Sequence, residues 1–367
     1  MINNRMKRRR FISAILILVC LAIVCMSGCG KQEKPQESGE KTYEVEKENA
    51  PIEDVEMPDS EALEETAKQN DRLENVLEMH LLDADQGSSI LIKDGKHSLL
   101  YDGGDSGTSS YVVAYLKKQG IEKLDYIIAS HYDADHISGL IGVLNVFECE
   151  KVICPDYETD TDIFFSFESM LAKNGAEVVF PKCGETFLFG DATFTIVGPQ
   201  SYSYATENDR SICVRLEYGR THFLMCGDAE YPAENDMVNS FEEIQSDVLV
   251  VSHHGSGNAS SKEFLDAVEP QYALISCMLG NQYGHPAEET LSRLKELGCE
   301  LYRTDLQNKV IAYSDGAEIW LNQEPTSDWR SGVELLNQMD SQNSNDMGNQ
   351  AKDTTVTIAI QNNTAFS

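Results

Sequence analysis

Two histidines and two aspartates lie within six residues, in the run His-Tyr-Asp-Ala-Asp-His from His131 to His136. The preceding residues, 124–129, are apolar and rich in β-branched side chains, which predicts a buried strand. Imidazole and carboxylate groups at the end of a core strand lose water at a large cost unless a partner compensates them. Because these groups are ligands of divalent metals, the run indicates a metal site. The alternative is a polar loop that caps the next helix, although a cap requires only one such side chain.

Three later strand candidates also end beside glycine in side chains that could bind metal. They cover residues 221–226, 247–251 and 272–276. The side chains are Asp228 after the first strand, His253 and His254 after the second, and His285 after the third. Open α/β sheets build their sites at the carboxyl ends of their strands. These positions therefore strengthen the prediction of a metal site.

The order of these motifs resembles the metallo-β-lactamase superfamily, and within it the hydrolase domain of ComEC-type competence proteins. The resemblance covers residues 76–322. It rests on motifs at 79–87, 99–105, 131–136, 227–228, 252–256 and 281–286. The resemblance implies an αββα four-layer sandwich, whereas the mixture of strand and helix candidates by itself predicts only a mixed α/β fold.

The resemblance also implies a centre with two divalent cations, Zn²⁺ first and Mn²⁺ as the alternative. The implied ligands are His131 and Asp133 for one metal, Asp135, His136 and His254 for the other, and Asp228 as the bridge between them. Two such ions activate water and stabilise both the attacking and the leaving oxygen of a displacement. Asp102, on the strand ahead of the ligand run, is expected to orient that run by hydrogen bonds.

His253 and His285 remain outside the metal ligands. Either could face the substrate, where it would stabilise charge or donate a proton to the leaving group. The alternatives are support of a neighbouring ligand for His253, and a loop residue ahead of a helix at Pro286 for His285. We therefore expect the catalytic roles to fall on His253, His285 and the ligand Asp135.

The chain departs from the superfamily pattern at two ligand positions. Asp133 stands where the commonest first motif has its second histidine, a feature that the ComEC-type branch shares. Residues 207–211, where the superfamily usually has a further histidine, contain none. The first metal subsite is therefore expected to be richer in oxygen ligands, which shifts its preference towards harder ions such as Mn²⁺.

The N-terminal residues predict export from the cytoplasm. Residues 1–28 contain a basic segment and then an apolar stretch, the pattern of an export signal. The stretch ends in small residues before Cys29, which resembles a bacterial lipobox and predicts lipidation of that cysteine. The alternative is a single transmembrane anchor, because the apolar stretch is near the lower length limit for spanning. Both predictions place the domain at the extracytoplasmic face of the cell membrane.

Polar segments flank the predicted domain. Residues 29–75 are rich in Glu, Lys, Gln and Pro and predict an acidic flexible tether. Residues 323–367 are rich in Asn, Gln, Ser, Asp and Thr and predict a low-complexity polar tail. Seven of the ten cysteines follow Cys29, mostly in apolar strand contexts where a free cysteine behaves as a small hydrophobic residue.

The charge of the chain limits its partners. The formal net charge is −32, and loss of residues 1–28, which hold five basic and no acidic residues, takes it to −37. Duplex DNA is bound through clustered Lys and Arg, and residues 76–322 contain no such cluster. Nucleic acid is therefore disfavoured relative to a smaller phosphodiester, and no obligate protein partner is evident.

These observations predict a lipid-anchored, binuclear metal-dependent hydrolase, with phosphodiesterase or nuclease-like activity of the ComEC-type branch as the favoured reaction. One alternative is a hydrolase of lactones, lactams or thioesters, and the histidine missing from 207–211 weighs against a β-lactamase. The other alternative is a non-catalytic binding lipoprotein. The presence of every acidic ligand together with three ligand histidines weighs against it.

Overall fold

The computed structural model describes residues 76–241 and 243–339. The predicted export signal at 1–28, the lipidation candidate Cys29 and the tether up to residue 75 lie outside the described residues. The same is true of the predicted tail from residue 340 onwards. Among the described residues, no helix is both long enough and apolar enough to cross a membrane.

The described chain contains fifteen strands and eight α-helices. The strands are β1 (Leu77–Leu81), β2 (Ile90–Asp94), β3 (His97–Tyr101), β4 (Lys123–Ile128), β5 (Glu148–Ile153), β6 (Glu177–Val179), β7 (Thr186–Phe189), β8 (Ala192–Gly198), β9 (Cys213–Tyr218), β10 (Thr221–Met225), β11 (Val248–Val250), β12 (Tyr272–Ile275), β13 (Glu300–Arg303), β14 (Val310–Ser314) and β15 (Ile319–Leu321). The helices are α1 (Ser109–Lys118), α2 (Ala134–Val146), α3 (Asp162–Asn174), α4 (Tyr231–Ser240), α5 (Lys262–Val268), α6 (Glu288–Leu297), α7 (Thr304–Gln307) and α8 (332–339).

The strands form two mixed sheets. One has eight strands in the order β15-β14-β1-β2-β3-β4-β5-β6, and the other has seven in the order β13-β12-β11-β10-β9-β8-β7. In the first sheet, strands β3 to β6 run parallel and the remaining neighbours run antiparallel. In the second sheet, strands β10 to β13 run parallel and β7 to β10 antiparallel. Each sheet therefore has one group of parallel strands whose carboxyl ends can carry a site.

The two sheets pack face to face, and alternate side chains of their strands are buried between them. On β1 the side chains of Leu77, Met79 and Leu81 point inward and meet side chains such as Phe223 and Met225 of β10. A second apolar cluster joins the outer face of the first sheet to α1, α2 and α3, and a third joins the outer face of the second sheet to α4, α5 and α6. The predicted αββα four-layer sandwich is confirmed.

The folded chain extends past the predicted boundary at residue 322. The backbone amide of Thr326 donates to the carbonyl of Leu301 at 2.8 Å, and α8 buries Leu335. Trp329 packs against the cluster beneath the second sheet. The polar composition of 323–367 concealed these few apolar contacts, because a small number of buried side chains and backbone hydrogen bonds can hold a segment that is polar on average. Residues 323–339 are therefore part of the domain and not of a polar tail.

Candidate metal centre

The predicted ligands meet at one edge of the sandwich, where strands of both sheets end. The run from His131 to His136 leaves β4 and enters the first turn of α2. Asp228 follows β10, and His253 and His254 follow β11. The first sheet thus contributes one continuous run, and the second contributes residues from separate strand ends.

The ligand atoms form two overlapping groups. Those of His131, His136 and Asp228 all lie within 4.8 Å of one another, and so do those of Asp135, His136 and His254. The Asp228 carboxylate lies between the groups, with Oδ1 at 3.2 Å from Nε2 of His136 and Oδ2 at 3.7 Å from Nε2 of His254. The structure therefore brings these residues together with Asp228 in the central position that the resemblance implies for a bridge.

Three buried imidazole nitrogens at this centre face carboxylates. Nε2 of His131, His136 and His254 is inaccessible to solvent. These nitrogens lie 3.6 Å from Asp133, 3.2 Å from Asp228 and 3.5 Å from Asp135, respectively. Buried imidazole nitrogens that converge on carboxylates in this way have the arrangement of ligands around a shared cation. Imidazole nitrogens and carboxylate oxygens suit Zn²⁺ and Mn²⁺, and a cation among them would satisfy all three nitrogens.

The opposite ring nitrogens are already held. Nδ1 of His136 lies 2.8 Å from Oδ2 of Asp102, and Nδ1 of His254 lies 2.9 Å from the carbonyl of Ser276. Asp102 is fully buried and also accepts hydrogen bonds from the amide and the hydroxyl of Ser130, each at 2.8 Å. The hydrogen bonds expected of Asp102 are present. They place a proton on Nδ1 and turn Nε2 towards the centre.

Electrostatics at the centre favour a cation. Burial alone would raise the pKa of Asp228, but the charges of His136 and His254 hold it well below its ordinary value. Burial would likewise lower the pKa of His136, yet Asp228 and Asp102 raise it well above the ordinary range. The Asp228 carboxylate therefore stays ionised and draws positive charge. Protons on the histidines and a metal cation would compete for the same place.

Asp133 occupies the most open position of the predicted ligands. Half of its side chain is exposed, and its Oδ2 lies 3.6 Å from Nε2 of His131. It belongs to neither of the two tight groups. The subsite at His131 is therefore accessible from solvent on the Asp133 side. In the other subsite His254 is buried and the Asp135 side chain is 36% exposed.

A short segment fills the place of the missing superfamily histidine. The hydroxyl of Ser211 accepts the amide of Asp228 at 3.2 Å and lies 3.4 Å from Nδ1 of His131. The carboxylate of Asp209 accepts the amides of Glu230 at 3.1 Å and Ala233 at 3.3 Å. These residues support the Asp228 loop. No spacing rule in the sequence pointed to them, because each acts through a backbone amide.

His253 and His285 lie beside the centre without entering either tight group. Nε2 of His253 is 3.7 Å from Asp228, and its Nδ1 is 3.1 Å from Glu230. The His285 ring is 5.4 Å from that of His253 and stacks on Tyr283 at 5.7 Å. Burial, helped by the charges of His253 and His254, lowers the pKa of His285 to about 4. With a pKa this low, the His285 imidazole is neutral near pH 7, and its Nδ1 has no hydrogen-bond partner among the described residues.

The loop after β11 places two histidines by a strained backbone. His253 and His254 have φ values of 50° and 55°, in the left-handed region. Such a conformation costs a non-glycine residue about 1–2 kcal/mol. Residues held this way cluster at functional sites, where surrounding contacts maintain them. The strain turns both rings towards Asp228 although the residues are neighbours in the chain.

This arrangement is accompanied by a clear sequence relationship. A sequence model of the metallo-β-lactamase superfamily matches residues 82–278. The chain belongs to the metallo-β-lactamase superfamily. The predicted membership is confirmed, and the match spans the His131–His136 run, Asp228 and both histidines of the β11 loop.

Relatives within the superfamily include competence proteins. The chain is 27% identical to ComE operon protein 3 of Bacillus subtilis over 256 residues, which covers 64% of this chain and 33% of that protein. It is 29% identical to competence protein ComA of Neisseria gonorrhoeae over 239 residues, covering 65% and 32%. The chain thus spans about a third of the length of these relatives. The predicted resemblance to ComEC-type proteins is confirmed.

Solved structures also match this superfamily member. The metallo-β-lactamase fold protein YhfI from Bacillus subtilis matches with a TM-score of 0.45 and 16% identity, over 67% of this chain and 100% of that chain. CmlA, a diiron β-hydroxylase from Streptomyces venezuelae, matches with a TM-score of 0.41 and 14% identity, over 62% and 52%.

Proposed function

We propose that this chain is a binuclear metal-dependent phosphodiesterase, anchored at the extracytoplasmic face of the cell membrane. The observation that carries the proposal is the convergence of three buried imidazole nitrogens, from His131, His136 and His254, on the carboxylates of Asp228 and Asp135. Membership of the metallo-β-lactamase superfamily supports a hydrolytic reaction. Zn²⁺ is the first candidate for both positions and Mn²⁺ is the alternative.

The residues of the centre divide into ligands and groups that meet the substrate. His131, Asp133, Asp135, His136, Asp228 and His254 would hold the cations. When bound, the cations would activate water and neutralise charge on the phosphoryl group. Asp102 and the Ser276 carbonyl keep the Nδ1 protons of His136 and His254 in place. His253 and the neutral His285 stand where they can hydrogen-bond the phosphoryl or leaving oxygen.

The ligand set favours a phosphodiester over a lactam. Ser211 and Asp209 occupy the segment where a lactamase-like centre has a further histidine, and both act on backbone amides. The Asp133 subsite therefore depends on oxygen ligands and favours hard cations, which bind phosphoryl oxygens well. The formal charge of −32 disfavours long polyanions, so a small or cell-wall phosphodiester is preferred to nucleic acid.

The anchor rests on the N-terminal sequence. The basic and apolar segments of residues 1–28, followed by Cys29, support export and lipidation. A lipid anchor predicts that Cys29→Ala leaves the protein unprocessed or releases it from membranes. Normal processing and membrane retention of this variant would favour a transmembrane anchor instead.

A substrate panel tests the reaction. The protein, loaded with Zn²⁺ or Mn²⁺, is given bis-p-nitrophenyl phosphate, nitrocefin and a lactone in parallel. We expect hydrolysis of the diester, its loss in His254→Ala, and full activity in the matched control His222→Ala, whose ring lies by Glu217 and Asp247. Opening of nitrocefin or the lactone with an intact diester would contradict the phosphodiesterase. Absence of bound metal together with inactivity on all substrates would favour a binding protein.

A further inference from the structure

One buried side chain, that of Asn281, holds the loop that carries His285 through hydrogen bonds to its backbone. Asn281 is almost fully buried, and its Oδ1 accepts the amides of Tyr283 at 3.1 Å and His285 at 3.0 Å. Its Nδ2 donates to the carbonyls of Met278 at 2.8 Å and His285 at 2.6 Å. The loop has no regular secondary structure of its own, so its position depends on what packs against it.

The start of α8 packs against this loop. The amide of Gly332 donates to the carbonyl of Pro286 at 2.9 Å. A Cβ atom added at Gly332 would collide with the carbonyl oxygen of His285 and lie 2.7 Å from the carbonyl carbon of Gly284. A Cβ added at Gly284 would in turn lie 2.6 Å from a methyl group of Val333. The backbone at residue 332 and the backbone of the 284–285 segment approach so closely that residue 332 must be glycine. The side chain of residue 333 contacts the same loop.

Hydrogen bonds fix the chain on both sides of Gly332, and so fix its contact with the loop. The guanidinium of the fully buried Arg303 pairs with Asp305 at 2.7 Å and donates to the carbonyl of Arg330. Ser331 and Glu334 cap α8 reciprocally, with the Ser331 amide donating to Glu334 at 2.8 Å and the Glu334 amide to the Ser331 hydroxyl at 3.3 Å. The segment before Gly332 is therefore bonded to a residue of β13. Because its position is fixed, its contact with the loop restricts where the loop can lie.

We propose that residues 326–339 are a positioning element of the metal centre, which holds the His285 imidazole against His253 and His254 through the contact of Gly332 and Val333 with the 281–286 loop. This element lies beyond the superfamily match, which ends at residue 278. The inference rests on the proposed phosphodiesterase, since it assigns the element an effect on turnover through His285. It also predicts the order of the loop, which does not depend on any activity.

A double-mutant cycle with a matched control tests the element. In the full-length, metal-loaded protein, Gly332→Ala is compared with Gly257→Ala, where an added Cβ meets its nearest neighbours at an ordinary 3.6 Å. We expect Gly332→Ala to lower kcat on bis-p-nitrophenyl phosphate by about 10²-fold, as loss of a hydrogen-bonding catalytic group does, with little change in KM or metal content. Gly257→Ala stays close to wild type. Adding Gly332→Ala to His285→Ala costs nothing further, because both remove the same contribution.

Hydrogen exchange separates this inference from the proposed reaction. Amides of 281–287 exchange faster in Gly332→Ala than in the wild type or in Gly257→Ala. Val333→Ala, which removes methyl groups without a collision, gives a smaller change in the same direction and serves if Gly332→Ala does not fold. Unchanged exchange in both variants, or losses of Gly332→Ala and His285→Ala that add independently, would overturn the positioning role. Faster exchange in a protein that cleaves no diester would leave the positioning of the loop standing and refute only the phosphodiesterase.

Discussion

The two sides of the candidate metal centre hold their predicted ligands in different ways. The side from the first sheet places four predicted ligand residues in one run, which extends from the end of β4 into the first turn of α2. It anchors the run by hydrogen bonds to the buried Asp102. The side from the second sheet brings Asp228 and His254 from separate strand ends, and His285 from a loop after β12. It anchors them by strained backbone, by amide contacts and by packing of the C-terminal segment.

This difference indicates which substitutions each side tolerates. On the first side a single carboxylate orients the run, so a side-chain substitution can loosen a ligand without altering the backbone. On the second side the supporting contacts go mainly to backbone groups, such as the Ser276 carbonyl and the Asp228 amide. Loosening that side therefore requires a change of backbone or of packing. Asp228 stands apart because both ligand groups face it.

The largest effect is expected for Asp228→Ala. This carboxylate lies between the two groups, so its loss removes a ligand from each side at once. We expect both metals to be lost and diester hydrolysis to fall to background. Elemental analysis of purified protein measures this directly. Unchanged metal content in the variant would show that Asp228 does not bridge the two metals. The two sides of the site would then have to be joined by another residue.

A ligand on the first side should matter more than a substrate-facing group on the second. Asp135→Asn weakens the group that Asp135 forms with His136 and His254 and removes a charge that balances the cation. His285→Ala removes a neutral hydrogen-bonding group, and such help is worth about 10²–10⁴-fold in rate. In steady-state kinetics on bis-p-nitrophenyl phosphate, kcat of Asp135→Asn should be lower than kcat of His285→Ala. The reverse ranking would make His285 a ligand and Asp135 a supporting residue.

Substitution of Asp102 tests the anchor of the first side. Asp102→Ala leaves the Nδ1 atom of His136 and the hydroxyl of Ser130 without their acceptor. Loss of a carboxylate behind a metal-binding histidine typically costs about 10–100-fold in metal affinity or activity. Competition with a chelator dye measures the affinity, and Ser98→Ala, whose buried hydroxyl donates to the Lys123 carbonyl far from the ligands, serves as control. Equal metal affinities in the two variants would show that Asp102 does not orient the ligands.

The smallest effect concerns pH and the second side. The fully buried Glu234 accepts the amide of Ser261 at 2.8 Å and also that of Ser260, in the loop after His254. Burial raises its pKa from 4.5 to about 7 despite these hydrogen bonds. The folded state then holds a proton that the unfolded state has released between pH 4.5 and 7, so this group's contribution to stability falls as the pH rises through that window.

Thermal unfolding across that window measures the contribution. Glu234→Gln cannot titrate, so the difference in Tm between wild type and variant should shift in favour of the variant from pH 4.5 to pH 7. A pH-independent difference would mean that Glu234 has the same pKa in the folded and unfolded states. In that case the second side carries no protonation-dependent support.

The sequence predicted the first side of the centre more fully than the second. The spacing from His131 to His136 and the strand before it were visible in one short run, because side chains on one loop are close in space as well as in sequence. The four-layer fold followed from the resemblance, whereas strand order did not. Pairing of β1 with β14 joins residues far apart in the chain, and no local pattern encodes it.

Supporting residues on the second side were hidden for a physical reason. Ser211, Asp209 and Gly332 act on backbone amides and carbonyls, and a backbone contact leaves no signature in residue spacing. The polar composition of residues 323–339 pointed to a tail, since composition averages over the few buried positions that fix the segment. The positive φ of His253 and His254 was equally invisible, because non-glycine residues rarely adopt it.

Anomalous diffraction from crystals soaked in Zn²⁺ or Mn²⁺ tests the central claim most directly. We expect two peaks on either side of the Asp228 carboxylate, one contacted by His131 and Asp133 and the other by Asp135, His136 and His254. Two-metal centres place such ions about 3.5–4 Å apart. A single peak that Asp228 does not contact, or none at the buried imidazole nitrogens, would contradict the binuclear centre.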